Sequence, residues 1–432
     1  MQQFINRMFG TLSMALFVVT LLGIIAAPLL IHLFAPGFNH DASRFDLASS
    51  MLRITFPYIL FISLTAFAAG VLNTHNRFAA AAFTPVLLNV ALIASIVFLA
   101  PHLHHPITAL AWGVFVGGIL QLLFQYPFLW HLRIVPKIHL GWHDPGVRRV
   151  LKLMIPALFG VSVAQLGLLI DTIFASFLPA GSISWLYNSE RLMLFPLGIF
   201  GVAIATVVLP HLAKQHSKQA TTNYKQTLQW AIRSVLLLGM PAAIGLVMLS
   251  GPLLTTLFHY GQFNDVDVIM SQHSLIAYAL GVPFMMSVKV LASGFYARQN
   301  IKTPVKIAAI ALLVNIIFNG ILIVPFQHAG LALASALAAT VNASLLLYML
   351  HKYKLVSFAK GWGLFLIRLG AANMAMAIVL WLMTASLSSW LTWHWQQRAE
   401  HLLIIIVASV ATYAASLWLV GLRKKNWLPE SR

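Results

Sequence analysis

Cysteine is absent from all 432 residues. Disulfides, thiol nucleophiles and thiolate-bound metals are therefore excluded. Charge is scarce as well. Asp, Glu, Lys and Arg together make up 8% of the chain, against about 25% in a typical soluble domain, too few to clothe a water-facing surface. Acidic residues are the rarest, 9 against 27 Lys and Arg. There are no large loops, no catalytic pair of carboxylates in a loop, no Gly-rich nucleotide loop after a strand and no recognisable nucleophile–base motif. A membrane-bound glycosyl- or acyltransferase would need an acid/base pair or a metal motif of that kind.

What is present is apolar. Hydrophobic residues make up 60% of the chain, in runs of about 20, the length that crosses a ~30 Å hydrocarbon core. Twelve such segments, A to L, are predicted as transmembrane helices over 10–34, 50–72, 79–100, 107–131, 148–177, 183–208, 227–249, 267–295, 303–325, 328–351, 361–387 and 401–422. The expected fold class is all-α, a polytopic transmembrane helical bundle. The first run is too long for a cleavable signal peptide and lacks a cleavage site.

The formal net charge is +18, but its distribution argues against nucleic acid. The bases alternate with the predicted helices. One set of loops and helix ends holds Arg7, Arg77, Arg133, Lys137, Arg148, Arg149, Lys152, Lys214, Lys218, Lys225 (with Arg233 just inside the following helix), Arg298, Lys302, Lys306, Lys352, Lys354, Lys360, Arg423, Lys424, Lys425 and Arg432. The opposite set holds only Arg44 and Arg398, with Arg53 at a helix end. Cytoplasmic loops of membrane proteins carry the Lys and Arg excess. Both termini are therefore expected on the cytoplasmic side of a bacterial inner membrane.

A faint repeat joins VLNTHNRFAAAAFTP (71–85) to GFYARQNIKTPVK (294–306). Each is a turn with Asn, a base, and Pro shortly after. Matching them sets A–D against G–J and leaves E and F without partners, which predicts two further helices ahead of residue 1. Transporters are commonly built from such repeats.

Ionisable residues at membrane depth face a cavity or one another. Asp171 in segment E and Arg191 in segment F both fall ~10 Å below the outer surface at 1.5 Å per residue. They are expected to compensate each other, either as a structural ion pair or within a substrate cavity. Asn315 and Asn319 share a face of segment I, and Asn319 and Ser335 fall at the depth of Asp171. One carboxylate with amide and hydroxyl oxygens suits a small hard cation, with sodium the expected ion; interhelical hydrogen bonding is the alternative. Lys289 reads equally as a cavity residue and as a side chain snorkelling to the interface. Arg368 reads as snorkelling, and Arg53 as lining an outer vestibule. His102, His104 and His105 in HLHHP read as loop residues rather than metal ligands, and no cofactor beyond possible Na+ is expected.

LRITFPYILFISL (52–64), LNTHNRFAAAAFTPVLLN (72–89), SWLYNSERLMLFPLGIFGVAIATVVLPHLA (184–213), LASGFYARQNIKTPVKIA (291–308) and HAGLALASALAATVNASLLL (328–347) resemble the MurJ/MviN family of lipid II flippases, within the multidrug/oligosaccharidyl-lipid/polysaccharide exporter superfamily. The resemblance covers essentially the whole chain. It implies two pseudosymmetric lobes plus two extra C-terminal helices that help form a groove for the lipid tail. Here these would be an incomplete N-terminal lobe over 1–135, a second lobe over 136–355 and the additional pair over 356–432. It implies a non-enzymatic flippase that moves undecaprenyl-pyrophosphate-linked disaccharide-pentapeptide to the periplasmic leaflet for peptidoglycan synthesis, through a cationic cavity with alternating access. Arg191 falls on the family's cavity arginine and Glu190 on the adjoining acidic position; Arg53 and Lys289 join them as candidate substrate-binding residues. Asp171, Asn315, Asn319 and Ser335 fall where some members hold sodium, with Leu331 giving a backbone carbonyl. Partners implied are lipid II, membrane lipids and the cell-wall synthesis machinery. The sequence departs from the family at Leu194, where some members are acidic, and in the first two helices, which carry further arginines. Export of another polyprenyl-linked glycan and a transport-inactive truncated homologue stay open as alternatives.

Overall fold

The computed structural model describes residues 2–356 and 361–422, apart from the side chains of 153 and 155–164. Lys360, Arg423, Lys424, Lys425 and Arg432, counted above among the basic loops, lie outside the described residues. The chain divides into two compact units, Met1–Leu169 and Ile170–Arg432.

The first unit contains α1 (Gln2–Ile25), α2 (Ala27–Phe34), α3 (Ala42–Thr55), α4 (Tyr58–Thr74), α5 (Phe78–Ala94), α6 (Thr108–His131) and most of α7 (Pro145–Ser176). Helix α6 packs on α3, α4 and α5. Segment A starts eight residues earlier than its hydropathy predicts. The polar start of α1 is helical because it has partners. Gln2 Nε2 donates to Val135 O at 3.0 Å, Asn6 Oδ1 accepts from Lys137 N at 3.0 Å and Thr11 Oγ1 accepts from Gly141 N at 3.0 Å. The extended stretch after α6 thus lies along α1, its backbone groups matched by side chains. Arg7 Nη1 closes the strap on Asp144 Oδ2 at 2.6 Å, and Asp144 Oδ1 caps α7 by accepting from Gly146 N and Val147 N.

The second unit contains the end of α7, α8 (Ser182–Pro196), α9 (Ala203–Ser217), α10 (Thr221–Met248), α11 (Ser250–Phe258), α12 (Asp265–Tyr296), α13 (Lys302–Lys352), α14 (Trp362–Met383), α15 (Leu387–Thr392) and α16 (Trp395–Leu419). Helix α12 is its axis, packed on α8, α9, α10, α11 and both halves of α13. Its start is fixed by a capping box: Asn264 Oδ1 accepts from Val266 N and Asp267 N, and Asp267 Oδ2 accepts from Asn264 N. Helices α14 and α16 pack on each other, α14 also on α10 and α16 also on α11.

Helix α13 is continuous in hydrogen bonding but not in direction. Gln327 leaves helical space at φ 50°, ψ −128°. The halves fold back on each other there, so that Asn315 meets Ser335. A Cβ on Gly330 would stand 2.2 Å from Leu322 O, so only glycine lets the two halves approach this closely. Segments I and J are therefore the two arms of a helical hairpin.

Among the described residues ten helices are long and apolar enough to cross a membrane, the folded α13 being one of them. Dividing α13 at Gln327 and adding the 32-residue α7 accounts for all twelve segments. Among the described residues there is no strand, and the architecture is the all-α multi-pass bundle expected. Helix F carries a π turn at Leu197–Val202, immediately after Pro196.

One cap recurs. Six helices end with a residue at positive φ, namely Asn76, Arg133, Gln219, Gln299, Lys354 and Gly421. In each, the next amide donates back five residues, as Arg77 N does to Leu72 O and Asn300 N to Phe295 O. This is the Schellman closure, which satisfies carbonyls the helix end leaves open. Both turns of the sequence repeat, at Asn76 and Gln299, use it.

Candidate functional site

Asp171 lies near the end of α7, five residues before Ser176. Its Oδ1 accepts from Asn319 Nδ2 at 2.7 Å and its Oδ2 from Ser335 Oγ at 3.2 Å. Asn319 Nδ2 also reaches Asn315 Oδ1 at 3.3 Å, and Asn315 Nδ2 donates to Ser335 Oγ at 3.2 Å. The hairpin brings this about: Asn315 and Asn319 stand on one arm of α13 and Ser335 on the other, 20 residues along the chain from Asn315. Asn319 is fully buried and Asn315 nearly so. Leu331, buried one turn before Ser335, completes the wall.

Asp171, Asn319 and Ser335, which the sequence places in one layer, and Asn315, placed a turn deeper, thus meet in one cluster. Its acceptors are all oxygen: two from the carboxylate, two amide carbonyls and one hydroxyl. Asn319 Oδ1 is buried with no hydrogen-bond donor. A buried acceptor without a donor costs free energy that a small hard cation relieves, so the donor set fits such an ion. Among the described residues no three His, Cys, Asp or Glu side chains converge.

The expected compensation of Asp171 by Arg191 is not found. Asp171 turns to α13, where two neutral donors meet its oxygens. Arg191 projects from α8 as an exposed side chain and bends back over Tyr187, one turn earlier. Nη2 donates to the Tyr187 hydroxyl at 2.7 Å, and the guanidinium carbon lies 4.6 Å from the ring centroid. Arg191 forms no ion pair among the described residues. Glu190, its neighbour, is half-buried. Tyr187 went unread in the sequence, although its i, i+4 spacing from Arg191 is the available signal.

The other candidates are placed separately. Lys289 is exposed on α12. Arg53 is exposed in the last turn of α3, before the break at Phe56 and Pro57, in the first unit. Arg398, expected in an outer loop, is instead inside α16 and only 5% exposed. It donates to Thr255 O, His259 O and Leu391 O and to His259 Nδ1. The loop assignment failed because hydropathy cannot distinguish a loop base from one buried against carbonyls.

Near the hairpin bend, Trp185 of α8 donates through Nε1 to Asp267 Oδ1 at 2.7 Å and packs at a tilt against His328, whose Nε2 meets Met270 O at 2.9 Å. A cavity of about 550 Å³ lies beside it, lined by Met270, His273, Leu280, Phe326 and Gln327 among others. It is mainly apolar, and no Asp, Glu, Lys or Arg lines it.

A multi-pass helical bundle with a buried oxygen cluster and an exposed guanidinium at membrane depth defines a membrane transporter rather than an enzyme. Comparison gives the family. Residues 1–398 match the family described as Lipid II flippase MurJ, and the chain belongs to that family. A Haemophilus influenzae protein named probable lipid II flippase MurJ is 43% identical, covering 100% of this chain and 87% of its own length. A Burkholderia cenocepacia protein named lipid II flippase MurJ is 42% identical over 97% of this chain and 82% of its own. A solved lipid II flippase MurJ in an inward closed conformation superposes with a TM-score of 0.79 at 26% identity, covering 96% of this chain and 83% of that one. An inward-facing multidrug transporter of the MATE family, at TM-score 0.66 and 14% identity over 79% of each chain, shares the fold.

Proposed function

We propose that this chain carries lipid II, undecaprenyl-pyrophosphate-linked disaccharide-pentapeptide, from the cytoplasmic to the periplasmic leaflet of the bacterial inner membrane by alternating access, with both termini cytoplasmic. Membership of the flippase family supports the substrate. The observation that carries the reading at residue level is Arg191: an exposed guanidinium, in no ion pair among the described residues and held by Tyr187. Such a group takes a diphosphate bidentately. Glu190 beside it meets amide and hydroxyl groups of the sugar-peptide head, and Lys289 adds positive charge in the same unit; Arg53 is a separate candidate substrate-binding residue of the first unit.

Asp171, Asn315, Asn319 and Ser335 are proposed to hold sodium, with the Leu331 carbonyl as a further ligand. The ion supplies positive charge that ties α7 to both arms of α13. These residues orient the arms and exclude water between them. Ion occupancy then biases which arrangement of the helices is stable, the way a ligand shifts any two-state equilibrium.

Genetic complementation tests the substrate. Cells depleted of their own lipid II flippase receive this chain, its Arg191→Ala variant, or the Haemophilus influenzae relative. Growth with the chain and lysis with the variant is expected. Rescue by the relative but not by the well-expressed chain overturns the reading.

A further inference from the structure

His259 is the first residue after α11, and Asp265 is the first of α12. The imidazole between them bridges two opposite charges. Its Nε2 lies 2.8 Å from Asp265 Oδ1, and its Nδ1 lies 3.1 Å from Nη2 of Arg398 on α16. The two contacts fix the protonation state of the ring. A guanidinium only donates, so Nδ1 carries a lone pair. A carboxylate only accepts, so Nε2 carries the hydrogen. The one form that satisfies both neighbours is the neutral imidazole with its proton on Nε2.

The surroundings leave little else to answer a charge on the ring. Helices α11 and α15 contain no ionisable side chain. Tyr260 follows in the chain, with its ring centroid 6.0 Å from the Arg398 guanidinium carbon. On α12, Asp267 is turned to Asn264 and to Trp185. On α16, His394 closes the helix start through its capping box, His401 packs against Trp393, and Glu400 is exposed. Solvent reaches the latch from one side only: the His259 side chain is 17% exposed and that of Asp265 65%, whereas Arg398 is buried. The guanidinium is also held in place by Thr255 O, His259 O and Leu391 O, so it cannot retreat from the ring.

A proton added at Nδ1 would set N–H against N–H and place a second positive charge beside a fixed one. The ring can keep Asp265 in that state but not Arg398. We propose that His259 is an acid-sensitive latch: neutral, it pins the turn between α11 and α12 to α16, and protonated, it releases Arg398 and frees the turn. The closed latch holds no proton at Nδ1 and the open one does, so falling pH favours opening, over the range of about pH 8 to 5 in which imidazoles change charge. Asp267, two residues past Asp265, accepts from Trp185 of α8, so the turn that the latch holds is also an anchor of the helix that carries Arg191. On the orientation proposed above this turn faces the periplasm; the latch itself, and its test on purified protein, are independent of that orientation and of the substrate.

Hydrogen–deuterium exchange of the full chain in detergent, read by mass spectrometry at about pH 7.5 and 5.5, tests it. Labelling times are matched for the intrinsic pH dependence of exchange, and the peptides compared cover 255–264 and 387–398. In wild type, protection of these two segments is expected to fall about fivefold at the lower pH, with the interior of α12 unchanged. His259→Asn keeps an acceptor oxygen near the position of Nδ1 and cannot take up the proton, so its protection is expected to be the same at both pH values. Equal protection of wild type at the two pH values overturns the proposal. So does a fall of wild-type size in His259→Asn, or in His259→Gln if the Asn variant does not fold.

Discussion

Arg398 and Arg191 are both helical guanidinium groups of the second unit, and they stand in opposite situations. Arg398 is 5% exposed and meets three backbone carbonyls and a ring nitrogen, drawn from the end of α11, the residue after it and α15. Arg191 is exposed and meets one phenol. A buried charge survives only if its hydrogen bonds are met within the protein. Arg398 has thereby become a fastener: both terminal nitrogens are engaged, and its Nε, without an acceptor, is buried. Arg191 keeps most of its five donors open and held in direction by a ring. In this protein the number of partners a charge has already acquired separates an arginine committed to the fold from one with donors to spare.

The largest effect expected is on that contrast. Arg398→Ala leaves the Thr255, His259 and Leu391 carbonyls without their shared donor and is expected to destabilise the fold by about 3 kcal/mol. Arg398→Lys recovers only part of this, because an ammonium cannot span the fork. Arg191→Ala is expected to leave the melting temperature unchanged, within about 0.5 kcal/mol in stability, and to abolish transport. Thermal unfolding of the purified proteins beside a flipping assay checks both. A stable Arg398→Ala protein, or wild-type transport by Arg191→Ala, breaks the comparison.

A smaller effect attends the Asp171 cluster, which lies between the two extremes: its oxygens are interlinked, yet Asn319 Oδ1 has no donor. If sodium binds there, wild-type protein melts a few degrees higher in sodium than in potassium at equal ionic strength. Asp171→Asn is expected to remove the difference. Equal melting in both salts for wild type would reduce the cluster to interhelical packing.

Much of this was legible beforehand, for physical reasons. Hydrophobic runs of membrane-crossing length mark helices irrespective of tertiary detail, so the twelve segments appear in the structure within a few residues at most ends. The exceptions are the starts of α1, α3, α10 and α16 and the end of α9, where polar residues carry the helix beyond the apolar run that hydropathy sees. The meeting of Asp171 with Asn319 and Ser335 was accessible because depth along a helix is nearly linear in residue number. Which way a side chain turns at that depth is set by packing. Asp171 therefore turned to α13 rather than to Arg191, and Tyr187 came to hold the Arg191 guanidinium without any composition signal.

The smallest effect expected is at the strap of the first unit, where an accessible charge pair provides the third case. Arg7 is 47% exposed beside Asp144. The hydrogen bond from Arg7, followed by those from the Val147 and Gly146 amides, holds the Asp144 carboxyl below its ordinary value of 3.8. A carboxyl lowered on folding contributes stability that is fully present above its ordinary value and is lost as pH falls through the lower folded one. The contribution is modest, because solvent and salt screen an exposed pair. Arg7→Ala is therefore expected to melt slightly below wild type from pH 7 down to about 5, with the gap closing as pH is taken through and below 3.8. Raising salt at pH 7 should narrow the same gap, whereas it should leave the deficit of Arg398→Ala unchanged, since ions do not reach a buried guanidinium. A gap that persists at pH 2.5 would mean that Arg7 acts through packing against the strap and not through its charge.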